Sequence, residues 1–396
     1  MNVGRKIMLG VTLASAFMVL IIAMGSSGFV SADAPIDGIL EDNFKFGKNL
    51  AVWFMLMMVA FLMIFIKKYE WGVALAVLLS AAGSFVAYLA IQDFYFDQAW
   101  DQTLMIRAVI CAITLVIAIG VFLGTVKMWQ YLFVGLLFAP VYAFVEWFMG
   151  STEVLGGFAV DPGGSILVHM CAAYFGLGVA LTLRRKEAFN EPQHTTTHSV
   201  SFVWLAAMIL WVLWPAFVTS LLGPADIAMG TMTCYMAGIG SVISAYVVCT
   251  VVQKKVNPLI YTYAMLAGPV AIGAPLLSMD AEWAPWGALA LGLIAGAISA
   301  ISFIYLQPRL CKALGIVDVM GVHNLHGIGG WIGVFASALI IGSFTNVAVA
   351  IAVVAITLAL GAVIGIVLRL TGGKVSEEQM FSDDADFIKN EAPSES

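Results

Sequence analysis

The sequence predicts an all-α polytopic membrane protein of eleven transmembrane helices, the first ten forming a five-plus-five inverted repeat. Three observations predict it: a composition too apolar for water, strict alternation of basic and acidic loops, and an Asp-to-His spacing that occurs twice.

Of 396 residues, 62% are hydrophobic and 11% charged, with a mean hydropathy of +0.99. A soluble domain carries roughly 25% charged residues. An ordinary soluble enzyme and a disordered chain are excluded, and the lipid bilayer becomes the partner that solvates most of the surface. The net charge of −6 argues against nucleic-acid binding, which needs a basic patch. The five cysteines (Cys111, Cys171, Cys234, Cys249, Cys311) lie in or beside apolar runs without paired spacing. They read as small buried hydrophobes, not as a disulfide framework or a zinc site.

Residues 1–33 read as a cleaved signal peptide. Arg5 and Lys6 precede an apolar stretch, and small residues follow up to Ala34. The competing reading is an uncleaved extra helix. Residues 34–370 then hold eleven apolar segments, at about 48–67, 71–92, 103–124, 128–149, 163–183, 199–222, 226–252, 257–278, 284–306, 319–342 and 345–369, each near the ~20 residues a membrane helix needs. Residues 371–396 form a polar, acidic tail, expected to be partly disordered alone and a place where a cytoplasmic regulator could bind.

Loop charge orients these segments. Lys67, Lys68, Lys127, Arg184, Arg185, Lys186, Lys254, Lys255, Arg309, Lys312, Arg369 and Lys374 all follow odd-numbered spans. The other loops hold Asp93, Asp97, Asp101, Glu153, Asp161, Asp226, Asp280 and Glu282 and no Lys or Arg. Basic loops stay cytoplasmic. The mature N-terminus is therefore expected outside the cell (inner) membrane and the C-terminus inside. A reporter fused after Ser396 should read cytoplasmic; a reading on the far side would overturn both the orientation and the inverted repeat.

Intramembrane histidines are costly and mark function. His194 and His198 fall in a polar loop, whereas His169, His323 and His326 fall within spans. Span five opens Asp161-Pro162-Gly163-Gly164 and reaches His169; span ten opens Asp318-Val319-Met320-Gly321 and reaches His326. Both histidines follow their aspartate at the same offset, in helices of opposite direction. An inverted repeat brings such positions together near the midplane. Asp161 and Asp318 are expected to cap these helices, Asp161 through the N–H of Gly164 or Ser165, and to shape the pore mouths. Two imidazoles sharing a hydrogen bond make a neutral polar rail that suits a small molecule able to donate and accept. No carboxylate lies mid-span to hold a cation, so an ammonium ion would shed its proton before crossing.

These strings resemble the ammonium transporter / Rhesus (Amt/Rh) family, its Rhesus branch more closely. Gly163-Gly164-Ser165…His169…Ala173-Tyr174-Phe175-Gly176-Leu177 is similar to the Rh fifth-helix motif, and Gly321-Val322-His323-Asn324-Leu325-His326-Gly327 to the tenth-helix motif. Trp214-Pro215-Ala216-Phe217 resembles the sixth-helix Trp-Pro-Ser-Phe. The resemblance implies a homotrimer with one ammonia-conducting pore per subunit, lined by twin histidines. Carried over by position these are His169 and His326, with His323 a second candidate. It implies a gate of two stacked aromatics; Phe217 matches one, and Ile110 stands where the other falls. The Amt branch carries a Trp where Met149 stands and a Ser where Leu221 stands, with Ser220 one residue short, so an external ammonium site is weakened and low-affinity, electroneutral passage is implied. Glu146 matches an acidic Rh position at the outer vestibule. Arg107 is unassigned; Asp93, Asp97 and Asp101 are its expected partners. No metal or cofactor is implied.

Rival classes are weaker. No His-Glu-x-x-His of a zinc protease occurs, and no lysine lies mid-span as a retinal pump requires. An ammonium sensor on the same fold would need a separate signalling partner. A carbon dioxide channel would use the same narrow apolar pore.

Overall fold

A computed structural model describes residues 36–66, 68–151, 159–185, 196–373 and 375–388, and every regular element among them is a helix. The signal-peptide segment, Glu153 and His194 lie outside the described residues. The first four helices are α1 (Ile36–Leu62), α2 (Trp71–Phe94), α3 (Gln102–Ile119) and α4 (Met128–Gly150). A π-helical turn, Ser165–Met170, runs into α5 (Cys171–Leu183), and α6 (Thr197–Val218) and α7 (Ile227–Gln253) complete seven predicted spans. Ten described helical stretches are long and apolar enough to cross a membrane.

The eighth predicted span is built differently. Instead of one helix it is α8 (Pro258–Ala264) and α9 (Ala267–Ile272), with turns after Gly273. Pro269 and Pro275 lack N–H groups, so the carbonyls of Met265 and Ala271 lose their helical donors. Ser241 Oγ donates to Met265 O, 2.5 Å away, and Ser165 Oγ lies against the second break, 2.7 Å from Val270 O and 3.4 Å from Ala271 O. Interruption at membrane depth is tolerable where neighbouring side chains supply such partners. The chain continues through α10 (Ala284–Ile301), a second π turn (Ser302–Leu306) and α11 (Gln307–Leu314). A third π turn, His323–Gly327, opens α12 (Ile328–Ile341), and α13 is Thr345–Gly372.

Packing repeats at an interval of five spans. Helices α2 and α4 cross where Gly83 meets Gly135, and a Cβ on Gly135 would lie 2.7 Å from Ser80 O. Their counterparts α7 and α10 cross where a Cβ on Gly296 would lie 2.6 Å from Ser241 Cα. Small residues let membrane helices approach this closely, since dispersion and not water drives their association. Apolar side chains such as Leu339, Val251 and Leu370 face outward, as lipid requires.

The described part of the tail is docked on the bundle. Residues 375–388 lie against the basic-loop end of the bundle. Val375, Met380 and Phe381 are buried there, and Phe381 N–H donates to Gly124 O at 3.1 Å. The reason is a missing cap. Glu70, at the N-cap of α2, provides no side-chain bond. Asp383 supplies it from the tail, accepting N–H groups of Glu70 (3.0 Å), Trp71 (3.1 Å) and Gly72 (2.7 Å). A carboxylate at a helix N-terminus satisfies orphan donors and complements the dipole. Asp383→Ala should cost the docked tail about 1 kcal/mol, the usual worth of a cap. Hydrogen exchange at residues 70–72 should quicken accordingly; unchanged protection would show that the cap is not what holds the tail.

Candidate functional site

The two halves present the same local device at opposite ends of the bundle. Three residues after each aspartate stands a glycine with positive φ, Gly164 at +81° and Gly321 at +66°. A side chain is strained in that region, so glycine serves both turns. Asp161 Oδ2 then accepts from Ile166 and Leu167 N–H, both at 2.9 Å, and the carboxylate of Asp318 accepts from Val322 and His323 N–H, also at 2.9 Å. The expected Ser165 N–H also acts on the Asp161 carboxylate, and the left-handed turn at Gly164 adds Ile166 and Leu167 as its close donors. Burial pushes the Asp161 carboxyl up to about 7 and that of Asp318 up to about 6, opposed by these N–H groups.

Each cap leads into a π turn, and each π turn carries the histidine. Wide turns of this kind are rare and recur at functional sites. Both carbonyl ladders are therefore already loosened where His169 and His326 project inward. His326 Nδ1 lies 3.1 Å from His169 Nδ1, with ring centroids 5.1 Å apart and planes 24° off parallel. Two Nδ1 atoms at that distance share one hydrogen bond, so one ring donates and the other accepts. That leaves the Nε2 atoms; His169 Nε2 is buried with no partner among the described residues.

Both imidazoles line an apolar cavity whose wall also includes Met55, Val59, Ile113, Phe217 and Leu325. Trp214 lines it too, its ring centroid 5.8 Å from that of His169 and its indole N–H unpartnered. Sequence reading used Trp214 only as part of a motif; a polar aromatic within an apolar span was the available signal. At the acidic-loop end lies a second, more polar cavity lined by Arg107, Ile110, Glu146, Asp161, Ser220 and Leu221. Phe217 borders both cavities. Ile110 lines the acidic-loop cavity only.

Two of the candidate residues stand away from the walls of these cavities. His323 does not border the apolar cavity. It contacts Tyr174, Oη to Nε2 3.5 Å, and Tyr174 Oη in turn accepts from Trp331 Nε1 at 2.7 Å. The π turn winds wider than an α-helix, so residues three apart no longer share a face. Met149 is buried but absent from the wall of the polar cavity; Leu221 holds the place instead. Arg107 finds a partner that sequence did not offer. Its Nε and Nη2 reach Glu146 Oε1 and Oε2, each at 3.0 Å, and Tyr88 Oη donates to Oε2 at 2.6 Å.

Fold and site together define a multi-pass helical membrane protein built on an inverted repeat, with a histidine pair at the interface of the halves. The chain belongs to the Ammonium Transporter Family, whose model matches residues 12–392. It is 32% identical to the dog (Canis lupus familiaris) ammonium transporter Rh type A, over 72% of this chain and 70% of that protein. It is 31% identical to the rabbit (Oryctolagus cuniculus) Rh type C, over 70% of this chain but 60% of that longer protein. The solved structure of Nitrosomonas europaea Rh50, described as a channel of the Rhesus family, superposes with a TM-score of 0.83 at 29% identity, covering 89% of this chain and 93% of that one. A sensor Amt protein shares the fold, with a TM-score of 0.75 at 18% identity.

Proposed function

We propose that this protein conducts ammonia across the membrane, with ammonium giving up its proton on the way in and the neutral molecule passing His169 and His326. The observation that carries this reading is the 3.1 Å contact between the two imidazoles inside an apolar cavity. Such a pair offers a hydrogen-bond donor and acceptor without a net charge. It cannot replace the hydration shell of a metal cation, for which oxygen rings are needed. The relatives named as ammonium transporters support the same substrate. Phe217 and Ile110 would gate the passage, and Asp161 and Asp318 would hold the two histidine-bearing turns. The assembly we propose is a homotrimer with one passage per subunit, in the orientation that the basic loops favour.

The direct test is stopped-flow measurement of internal pH in proteoliposomes challenged with ammonium, methylammonium or carbon dioxide. Ammonia-driven alkalinisation well above that of empty vesicles is the expected result. A response confined to carbon dioxide would transfer the same pore to that gas.

Two departures from the Amt pattern support low affinity and electroneutral passage as part of this reading. Leu221 stands where the Amt branch has a Ser, with the Ser220 hydroxyl one residue short on the cavity wall, and Met149 stands where that branch has a Trp. Recordings on a solid-supported membrane should therefore show no saturable ammonium current in the micromolar range. A current of that kind would reject this part of the reading.

A further inference from the structure

Three charged side chains line the polar cavity at the acidic-loop end: Arg107, Glu146 and Asp161. Asp161 is engaged by the backbone of the turn that it caps. Glu146 is the acid that could collect cations at the mouth, and its charge is already answered. Arg107 binds it side-on through Nε and Nη2, one contact to each carboxylate oxygen, and Tyr88 takes a third acceptor position. A carboxylate offers about four such positions. Paired forks of this kind are the strong, geometrically specific form of the Arg–carboxylate contact.

We propose that Arg107 is a specificity-determining residue, which cancels the charge of Glu146 in the wall of the mouth so that Glu146 does not concentrate ammonium ions. The inference rests on the ammonia-conduction reading above. Its physical basis is focusing. A cleft walled by one sign of charge raises the local concentration of the opposite ion, and a cleft whose charges are paired does not. The guanidinium stays charged at every accessible pH, so this setting does not titrate away. The three helices that meet here, α2 through Tyr88, α3 through Arg107 and α4 through Glu146, also make the pair a staple. A purely structural staple and a charge setting predict different results.

The experiment uses the full chain in proteoliposomes and ammonium chloride as the probe. Initial alkalinisation rates are read at low ammonium, over a range of ionic strength set with an inert salt. Arg107→Met frees Glu146. Its rate at low ammonium should rise about tenfold, the lower end of electrostatic focusing in a cleft, and should fall as salt is added because screening removes the attraction. Glu146→Gln leaves Arg107 uncompensated. Its rate should drop, and added salt should raise it. Arg107→Met with Glu146→Gln should lose the salt dependence of either single variant. Loss of a staple would lower the rate in both single variants and give neither salt slope, and that outcome overturns the proposal. Should Arg107→Met fail to fold, Glu146→Gln decides alone: a rate rising with salt supports the charge setting, and a salt-independent rate rejects it. Wild-type protein with no flux above empty vesicles would instead reject the conduction reading, and the proposal with it.

Discussion

His169→Ala and His326→Ala are each expected to cut ammonia permeation by about tenfold or more, with His323→Ala close to wild type. In the native protein each imidazole satisfies the other's Nδ1 at 3.1 Å. Removing one strands a buried ring nitrogen, at a cost of about 1–3 kcal/mol. It also removes half of the polar rail, so a molecule that has shed its hydration shell must cross that stretch of cavity with one partner fewer. Every 1.36 kcal/mol added to a barrier slows passage about tenfold. His323 belongs to another network, on Tyr174 and Trp331 away from the cavity wall. Its loss should register in stability before it registers in flux. The measurement is the rate of internal alkalinisation in vesicles holding equal amounts of each folded variant. Abolished flux in His323→Ala with intact flux in His326→Ala would place the passage on the wrong side of this helix.

That contrast shows where sequence is a sufficient guide. His169 and His326 could be paired from spacing alone, because an inverted repeat is a symmetry and equal offsets from matched caps survive any local winding. Which way His323 points could not be read the same way. Three residues on an α-helix share a face, and only the wider π turn sends His323 toward Tyr174. Nothing in His323-Asn324-Leu325-His326-Gly327 announces that turn. Its supports lie elsewhere in the chain: Ser302 Oγ and Gln307 Oε1 on the Asn324 side chain, and Ser299 Oγ on its carbonyl.

Span eight makes the same point from the other side. Its apolar length was legible, and so were its prolines. Glycine and proline are tolerated in membrane helices when neighbours satisfy the freed carbonyls. Whether the helix bends or breaks therefore depended on Ser241 and Ser165, which are far away in sequence. Arg107 was missed for a related reason. The acidic loop next to it offered three aspartates, while its partner Glu146 sits one helix further on. Charge pairing across a bundle is set by helix contacts, which hydropathy does not encode.

Gly292→Ala is expected to be among the most damaging single methyl groups that can be added to this chain, and the reason lies in the same region. A Cβ on Gly292 would strike the carbonyl group of Ala237 on α7, with Ala237 C at 2.7 Å and Cα at 2.8 Å. The obstacle is backbone, so no rotamer change relieves it. Gly268 of α9 packs on the same carbonyl, since a Cβ there would also meet Ala237 C at 2.7 Å, so three segments converge on one backbone group. Moving α7 away would draw Ser241 from Met265 O, leaving unpaired the carbonyl that Pro269 exposes. Overpacking alone costs about 1–3 kcal/mol. A lost hydrogen bond in the interior adds about 0.5–1.5 kcal/mol. Gly47 is the control. It lies within α1, and a Cβ there has nothing within 4 Å. Gly47→Ala should leave the thermal midpoint of detergent-solubilised protein unchanged or raise it, since alanine is the better helix former. Gly292→Ala should lower the midpoint clearly or yield no folded protein. Equal midpoints for the two variants would mean that α7 and α10 can part without loss, and that the broken span between them is not held by their close approach.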